Sequence, residues 1–267
     1  RAKGRTIIRP IFFKFLLLFN FFFTSFCFLW WLCTAYNQEK QDAKNTKNFC
    51  HDMLFTKFES LISKVIDLPL PGIEAQKKMA PVFRIEELKN KPENKNLVKK
   101  SAVLCLFYPN ENELTHFALI ERGIYKGVHS GQISFPGGRK EEEDLSFWGT
   151  ALREANEEIG VPKEVVTEVK ALSTFYIPPS NFIVHPFMAI SRSKPDFKPE
   201  EKEVQRIIEV PLSELLLAKY ETHGLVTTSY VGQVDVPLYL LQGVQVWGAT
   251  ATILSEIKDV ISSVLKE

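Results

Sequence analysis

The chain has 267 residues, of which 45% are hydrophobic and 24% charged, and its formal net charge is +1. That length holds one domain with extensions, or two small ones, with a sizeable core in either case. The near-neutral balance announces no polyanion-binding surface, so nucleic acid is not an expected partner.

Residues 1–52 differ from the rest. Nine of the 21 phenylalanines fall between Phe12 and Phe28, and an apolar run over residues 15–36 follows a flank of Arg1, Lys3, Arg5, Arg9 and Lys14. By length the run is that of a bilayer span or a long signal segment, although Cys33 and Ala35 make a poor cleavage site. A third reading is translated upstream DNA. Met53 is the first methionine, and the Phe, Lys, Asn and Leu bias is that of AT-rich sequence. The basic flank would stay in the cytoplasm and send the remainder across the membrane. The expectation is an upstream extension, a start at Met53 and a cytoplasmic protein. The alternative is a membrane anchor through residues 15–36. Of Cys27, Cys33, Cys50 and Cys105, only the last lies beyond this segment, so no disulfide framework is expected.

Residues 53–96 form an N-terminal helical embellishment. Leu54, Phe55, Phe58, Leu61, Ile62, Val65 and Ile66 recur at helical spacing, and Leu68-Pro69-Leu70-Pro71-Gly72 stops the helix. Residues 97–267 carry the main domain. Ser101–Tyr108 and Glu113–Glu121 read as strands joined by a turn at Pro109-Asn110-Glu111-Asn112. Val128–Phe135 is extended and leads into Gly137-Gly138. A helix follows over Leu145–Ile159. Val165–Ser173 and Phe182–Ile190 are strands flanking the loop Tyr176–Asn181, a stiff, polar-tipped candidate for pocket lining. Arg206–Val210 is a short strand and Pro211–Lys219 a helix. Thr227–Gln242 is a hairpin with Gly232 and Asp235 near its turn. Trp247–Lys266 is a closing amphipathic helix, with Trp247 read as core packing. Strands with two main helices imply a mixed sheet between helical layers.

Within the Leu145–Ile159 helix, Glu154, Glu157 and Glu158 stand at i, i+3 and i+4, so all three project from one face. Each like-charged pair costs about 0.2–0.5 kcal/mol, and a nearby cation relieves it. Hard divalent ions such as Mg²⁺ take such oxygen ligands and bridge them to substrate phosphates. Arg153 precedes the cluster, and Gly137-Gly138 allows a turn that brings a backbone carbonyl, that of Gly138, close to an ion. Alone, three acids on a helix are as well read as a solvated face.

The glycine turn, Arg153-Glu154, Glu157-Glu158 and Gly160-Val161 together resemble the signature of the Nudix hydrolases. Asp144 stands where that family has a glutamate, one residue further from Arg153. Ser130–Gly138 (SGQISFPGG) is most similar to the coenzyme A pyrophosphatase branch. The resemblance implies an α/β/α sandwich with a mixed sheet and Mg²⁺ or Mn²⁺ as cofactor. It also implies hydrolysis of coenzyme A or acyl-CoA to 3′,5′-ADP and 4′-phosphopantetheine or its acyl derivative. The alternatives are another nucleoside diphosphate derivative, such as ADP-ribose or a dinucleotide, or a non-catalytic binding module; a homodimer stays open.

Glu154, Glu157, Glu158 and the Gly138 carbonyl are then the metal ligands, with Glu154, Glu158 and Arg153 in the catalytic machinery. By the same resemblance Asp144 orients the loop and Arg153, and Glu203 is the candidate base, with Glu200 and Glu201 its neighbours. The branch's upstream basic motif is matched in part by Ala118-Leu119-Ile120-Glu121-Arg122, by Gly131 and by Phe135-Pro136-Gly137-Gly138. Gly127 replaces its second arginine. Arg122, Lys126, His129, Phe135 and Gly137 are the expected substrate contacts.

Overall fold

The structure is a computed structural model that describes residues 53–86, 97–123, 131–228 and 232–265. The readings of residues 1–52, and those of Lys126 and His129, lie outside the described residues.

Strand β1 (Lys99–Pro109) is the axis of the main sheet. It pairs antiparallel with β2 (Thr115–Arg122) and with the short β4 (Gly137–Arg139), and runs parallel to β7 (Phe182–Ile190). Outward from this centre, β2 pairs with β3 (Ile133–Ser134) and β8 (Val204–Pro211). Strands β5 (Thr167–Ala171) and β6 (Phe175–Ile177) pair with β7. The sheet is therefore mixed, as expected. A second, three-stranded sheet joins β9 (Glu221–Thr228), β10 (Gly232–Leu241) and β11 (Val244–Trp247).

Period-two alternation sends the residues of β1 to two separate cores. Cys105 and Phe107 pack on one side, where helices α1 (Phe55–Val65) and α4 (Gly248–Leu265) bring Phe58, Ile62, Leu254 and Ile257. Ala102, Leu104 and Leu106 face the other side and meet Ala151, Ala155 and Ile159 of helix α2 (Phe147–Ile159). Helices thus cover both faces, which gives the α/β/α sandwich. Residues 53–86 belong to the same packing, since Met53, Phe55, Phe58 and Met79 are buried in the first core.

Three local expectations need correction. The helix read over Pro211–Lys219 is only α3, Leu212–Leu216, followed by a tight turn at Ala218–Tyr220. The Thr227–Gln242 hairpin begins six residues earlier, at Glu221, and Asp235 lies inside β10 opposite Leu225, away from the turn. The residues just before the last helix form β11, so Trp247 ends a strand and leaves that helix to begin at Gly248. Polar, exposed residues at the start of β9 and the shortness of β11 hide both from a periodicity reading.

Candidate active site

Local chemistry sets the limits of α2. Ser146 caps it by accepting a hydrogen bond from Gly149 N–H at 3.0 Å, and Gly160 ends it in the left-handed conformation. Ala151 and Ala155 on the buried side let the helix approach β1 closely. That places Glu154 and Glu158 against the glycine turn entering β4. Gly137 has φ of 152°, and a side chain there would strike the backbone of Ala102 and Val103. A methyl group on Gly138 would collide with the Glu154 carboxylate. Both glycines are therefore required by close approach.

The three acids of the cluster sit in unequal surroundings. The Glu158 side chain is 1% exposed and accepts a hydrogen bond from Gly137 N–H at 2.8 Å through Oε2. Its Oε1 lies 3.1 Å from Arg122 Nη1, yet no hydrogen bond reaches that atom. Burial pushes its pKa up to about 7, Arg122 and the Gly137 N–H oppose this, and the charges of Glu154 and Glu203 add to it. The pKa of Glu154, 14% exposed, is also raised by burial, against the pull of Arg153 3.0 Å away. Glu157 is 56% exposed and pairs with Arg153 Nη1 at 2.9 Å. Glu203 enters on the loop before β8, where Gly123 N–H donates to its carbonyl at 2.7 Å. Its charge is the smallest of the causes that raise the pKa of Glu154 and Glu158. Glu200 N–H donates to the Glu158 carbonyl at 3.0 Å, so that residue braces the end of α2.

Arg153 is the hub of this arrangement. Its Nε and Nη2 reach the two Asp144 oxygens, each at 3.0 Å, and Nη2 also donates to the Arg139 carbonyl at 3.0 Å. Asp144 further accepts from Thr150 Oγ1 and from Glu141 N–H, both at 2.9 Å. These partners hold its carboxyl well below the usual range, with the Arg153 hydrogen bond the largest cause. Arg153 thus ties the loop of residues 139–144 to the acidic helix.

The donor set fits a hard divalent cation. A buried Glu158 carboxylate oxygen without a hydrogen bond sits beside Glu154, and burial raises the pKa of both groups despite the arginines paired with them. Among the described residues no three acidic, histidine or cysteine side chains come together so as to hold an ion by themselves. Mg²⁺ does not require such a set, because it binds through one or two carboxylates with water and phosphate oxygens completing its octahedron.

Beside the glycine turn opens a cleft of about 770 Å³. Arg122, Phe135, Gly137, Gly138 and the loop residues Tyr176–Ser180 line it. So do Arg84, Arg139 and Trp247, which the sequence reading missed or assigned to the core. Arg139 was findable, since it follows the glycine pair directly. Arg84 had no local signal. Of the remaining histidines, His116 Nδ1 lies 3.0 Å from the Leu114 carbonyl oxygen, and His185 stacks on Phe147 with ring centres 3.6 Å apart.

A family profile described as the NUDIX domain matches residues 98–228. The chain is 35% identical over 144 residues to the uncharacterized Nudix hydrolase NudL of Enterobacter sp. strain 638, covering 52% of this chain and 71% of that one. It is 32% identical over 145 residues to the NudL of Yersinia pestis strain Pestoides F, covering 54% and 71%. Among solved structures, the Nudix hydrolase RenU of M. smegmatis aligns with a TM-score of 0.43 at 15% identity, over 61% of this chain and 86% of that one. A MutT/nudix family protein of Enterococcus faecalis aligns at 0.42 and 16% identity, over 71% and 73%.

Proposed function

Because the chain belongs to the Nudix family, and is on that footing a hydrolase of a nucleoside diphosphate derivative, we propose that its substrate is coenzyme A or acyl-CoA. Water cleaves the diphosphate, one P–O anhydride bond breaks as another P–O bond forms, and 3′,5′-ADP and 4′-phosphopantetheine or its acyl derivative leave. The observation that carries this reading is the junction of Arg122 with the Phe135-Pro136-Gly137-Gly138 turn. Arg122 Nη1 lies 3.4 Å from the Gly137 carbonyl oxygen and 3.1 Å from Glu158 Oε1. This joins the upstream basic motif to the acidic helix at the mouth of a cleft suited to a nucleotide. Coenzyme A is an intracellular metabolite, so this substrate favours a cytoplasmic protein over one anchored through residues 15–36.

Glu154, Glu158, Glu157 and the Gly138 carbonyl are the groups that would hold Mg²⁺ or Mn²⁺. Such an ion neutralises charge on the diphosphate oxygens and makes water a better nucleophile at neutral pH. Glu203, close enough to Glu154 and Glu158 to alter their proton affinity, accepts the proton of the attacking water. Arg153 keeps the acids and the Arg139–Asp144 loop in register and acts as a positioning residue.

Gly127 in place of the branch's second arginine favours a second reading, in which ADP-ribose or a dinucleotide is the better substrate. Side-by-side kcat/KM values with Mg²⁺ for coenzyme A, 3′-dephospho-coenzyme A and ADP-ribose decide between them. Coenzyme A is expected to lead. ADP-ribose turned over at least as efficiently would remove the coenzyme A assignment and leave the family intact.

A further inference from the structure

Three arginines line the cleft, and among the described residues no aspartate or glutamate does. Two of them belong to the glycine turn, Arg139 as the last residue of β4 and Arg122 through its approach to the Gly137 carbonyl. Arg84 arrives from a different part of the chain. It closes the helical turn Val82–Arg84, ahead of the residues 98–228 that match the family.

The segment that carries Arg84 is fastened to helix α4. Gly72 N–H donates to Glu256 Oε1 at 3.2 Å, and Ser255 Oγ donates to the Ala75 carbonyl at 2.8 Å. Lys78 pairs with Asp259 at 2.6 Å, and Gln76 Nε2 donates to the Ser173 carbonyl at 3.3 Å. Ala80 and Pro81, which follow these anchors, are buried and form part of the cleft wall together with Arg84. Arg84 is therefore presented to the cleft by a built wall.

A cleft whose cationic residues come from two separate elements matches a ligand with two anionic groups. This inference rests on the functional reading above, which puts the scissile diphosphate at the glycine turn. We infer that Arg84 binds a second phosphate of the substrate, outside the diphosphate, and that the segment ahead of the family domain is thereby a specificity element. In coenzyme A that group is the 3′-phosphate.

Isothermal titration of the full chain in EDTA, without turnover, tests this with coenzyme A and 3′-dephospho-coenzyme A as probes. Arg84→Gln should weaken coenzyme A binding about tenfold or more and change binding of the dephospho compound less than about twofold. Arg84→Lys should fall between, because it keeps charge and loses the planar fork. Equal losses for both compounds would move Arg84 onto the shared diphosphate and overturn the inference, as would no loss for either. Should Arg84→Gln unfold, Arg84→Lys decides. A reduced preference for coenzyme A supports the assignment, and an unchanged preference overturns it. Wild-type protein that binds the two compounds equally overturns the role of Arg84 alone. Wild-type protein that binds neither overturns the functional reading with it.

Discussion

At Glu158, burial and neighbouring carboxylates act against Arg122 and one backbone N–H, and the carboxyl is left with a pKa of about 7. A neutral amide at this position keeps the shape and the hydrogen bond from Gly137, but not the charge that would hold a divalent ion. Glu158→Gln is expected to lower kcat by about two powers of ten or more at saturating Mg²⁺. Its melting temperature should stay within about 3 °C of wild type, because a costly buried charge is removed while Arg122 loses a partner. Wild-type turnover in this variant would rule out α2 as the catalytic helix. Asp144 is the opposite case, a carboxylate stabilised in its charged form. Asp144→Asn removes a two-pronged ion pair with a partly exposed arginine, at a cost of about 2 kcal/mol near neutral pH. Since the folded-state pKa of Asp144 is depressed, its contribution is complete above the unfolded value of 3.8 and fades as pH falls toward the folded one. Denaturant titrations should therefore show the wild type and Asp144→Asn converging in stability below about pH 4. A constant gap between pH 7 and pH 3 would exclude this ion pair as the source.

Helix α1 shows how an element with a clear sequence signal depends on a residue without one. Its apolar positions and the prolines after it mark where it begins and ends, but its last carbonyls need donors from outside. Lys170 of β5 supplies them, with Nζ 3.0 Å from the Val65 oxygen and 2.6 Å from those of Ile66 and Leu68. A cation at a helix C-terminus is also favoured by the helix dipole. Lys170→Met is expected to cost about 1–2 kcal/mol, read as a lower unfolding midpoint, with kcat/KM unchanged. A loss of activity at full stability would contradict a purely structural role. The contrast defines what was legible. Strand Phe182–Ile190 is apolar apart from His185 and was found to the residue, because burial of its second half leaves a local pattern. Helix α2 was read from its composition, starting two residues early at Leu145 because the Ser146 cap was not used. The Asp144–Arg153 pair was legible through the motif, whereas Lys170 and Arg84 depend on contacts distant in sequence, and no period or motif encodes those. Strand β11 was missed because four residues before a helix start are too few to show alternation.

Across the whole molecule, the acids and part of the substrate cleft are built from different stretches of chain. The acids ride on α2, on one side of the main sheet, with Ala102, Leu104 and Leu106 beneath them. One cleft wall comes from residues 80–84 and another from residues 245–253, and both depend on α4. Glu256 links them. It is fully buried, and its two oxygens accept from Gly72 N–H and Ser173 N–H, each at 3.2 Å. Glu256→Gln can satisfy only one of these donors, since its amide NH₂ faces the other. An unsatisfied buried donor costs about 1–3 kcal/mol, so a lower melting temperature is expected. The kinetic consequence follows from the layout. Loosening the Gly72–Pro81 segment should raise KM about three- to tenfold for the fastest-hydrolysed of the three nucleotides named above, the loss expected of weakened ground-state binding. The acidic helix is packed separately, so kcat at saturating substrate should stay within about twofold. Amide exchange measured by mass spectrometry should quicken in residues 72–81 and stay unchanged in α2. A fall in kcat matching the rise in KM, or faster exchange in α2, would show that wall and catalytic helix form one cooperative unit, and the separation argued from the fold would be wrong.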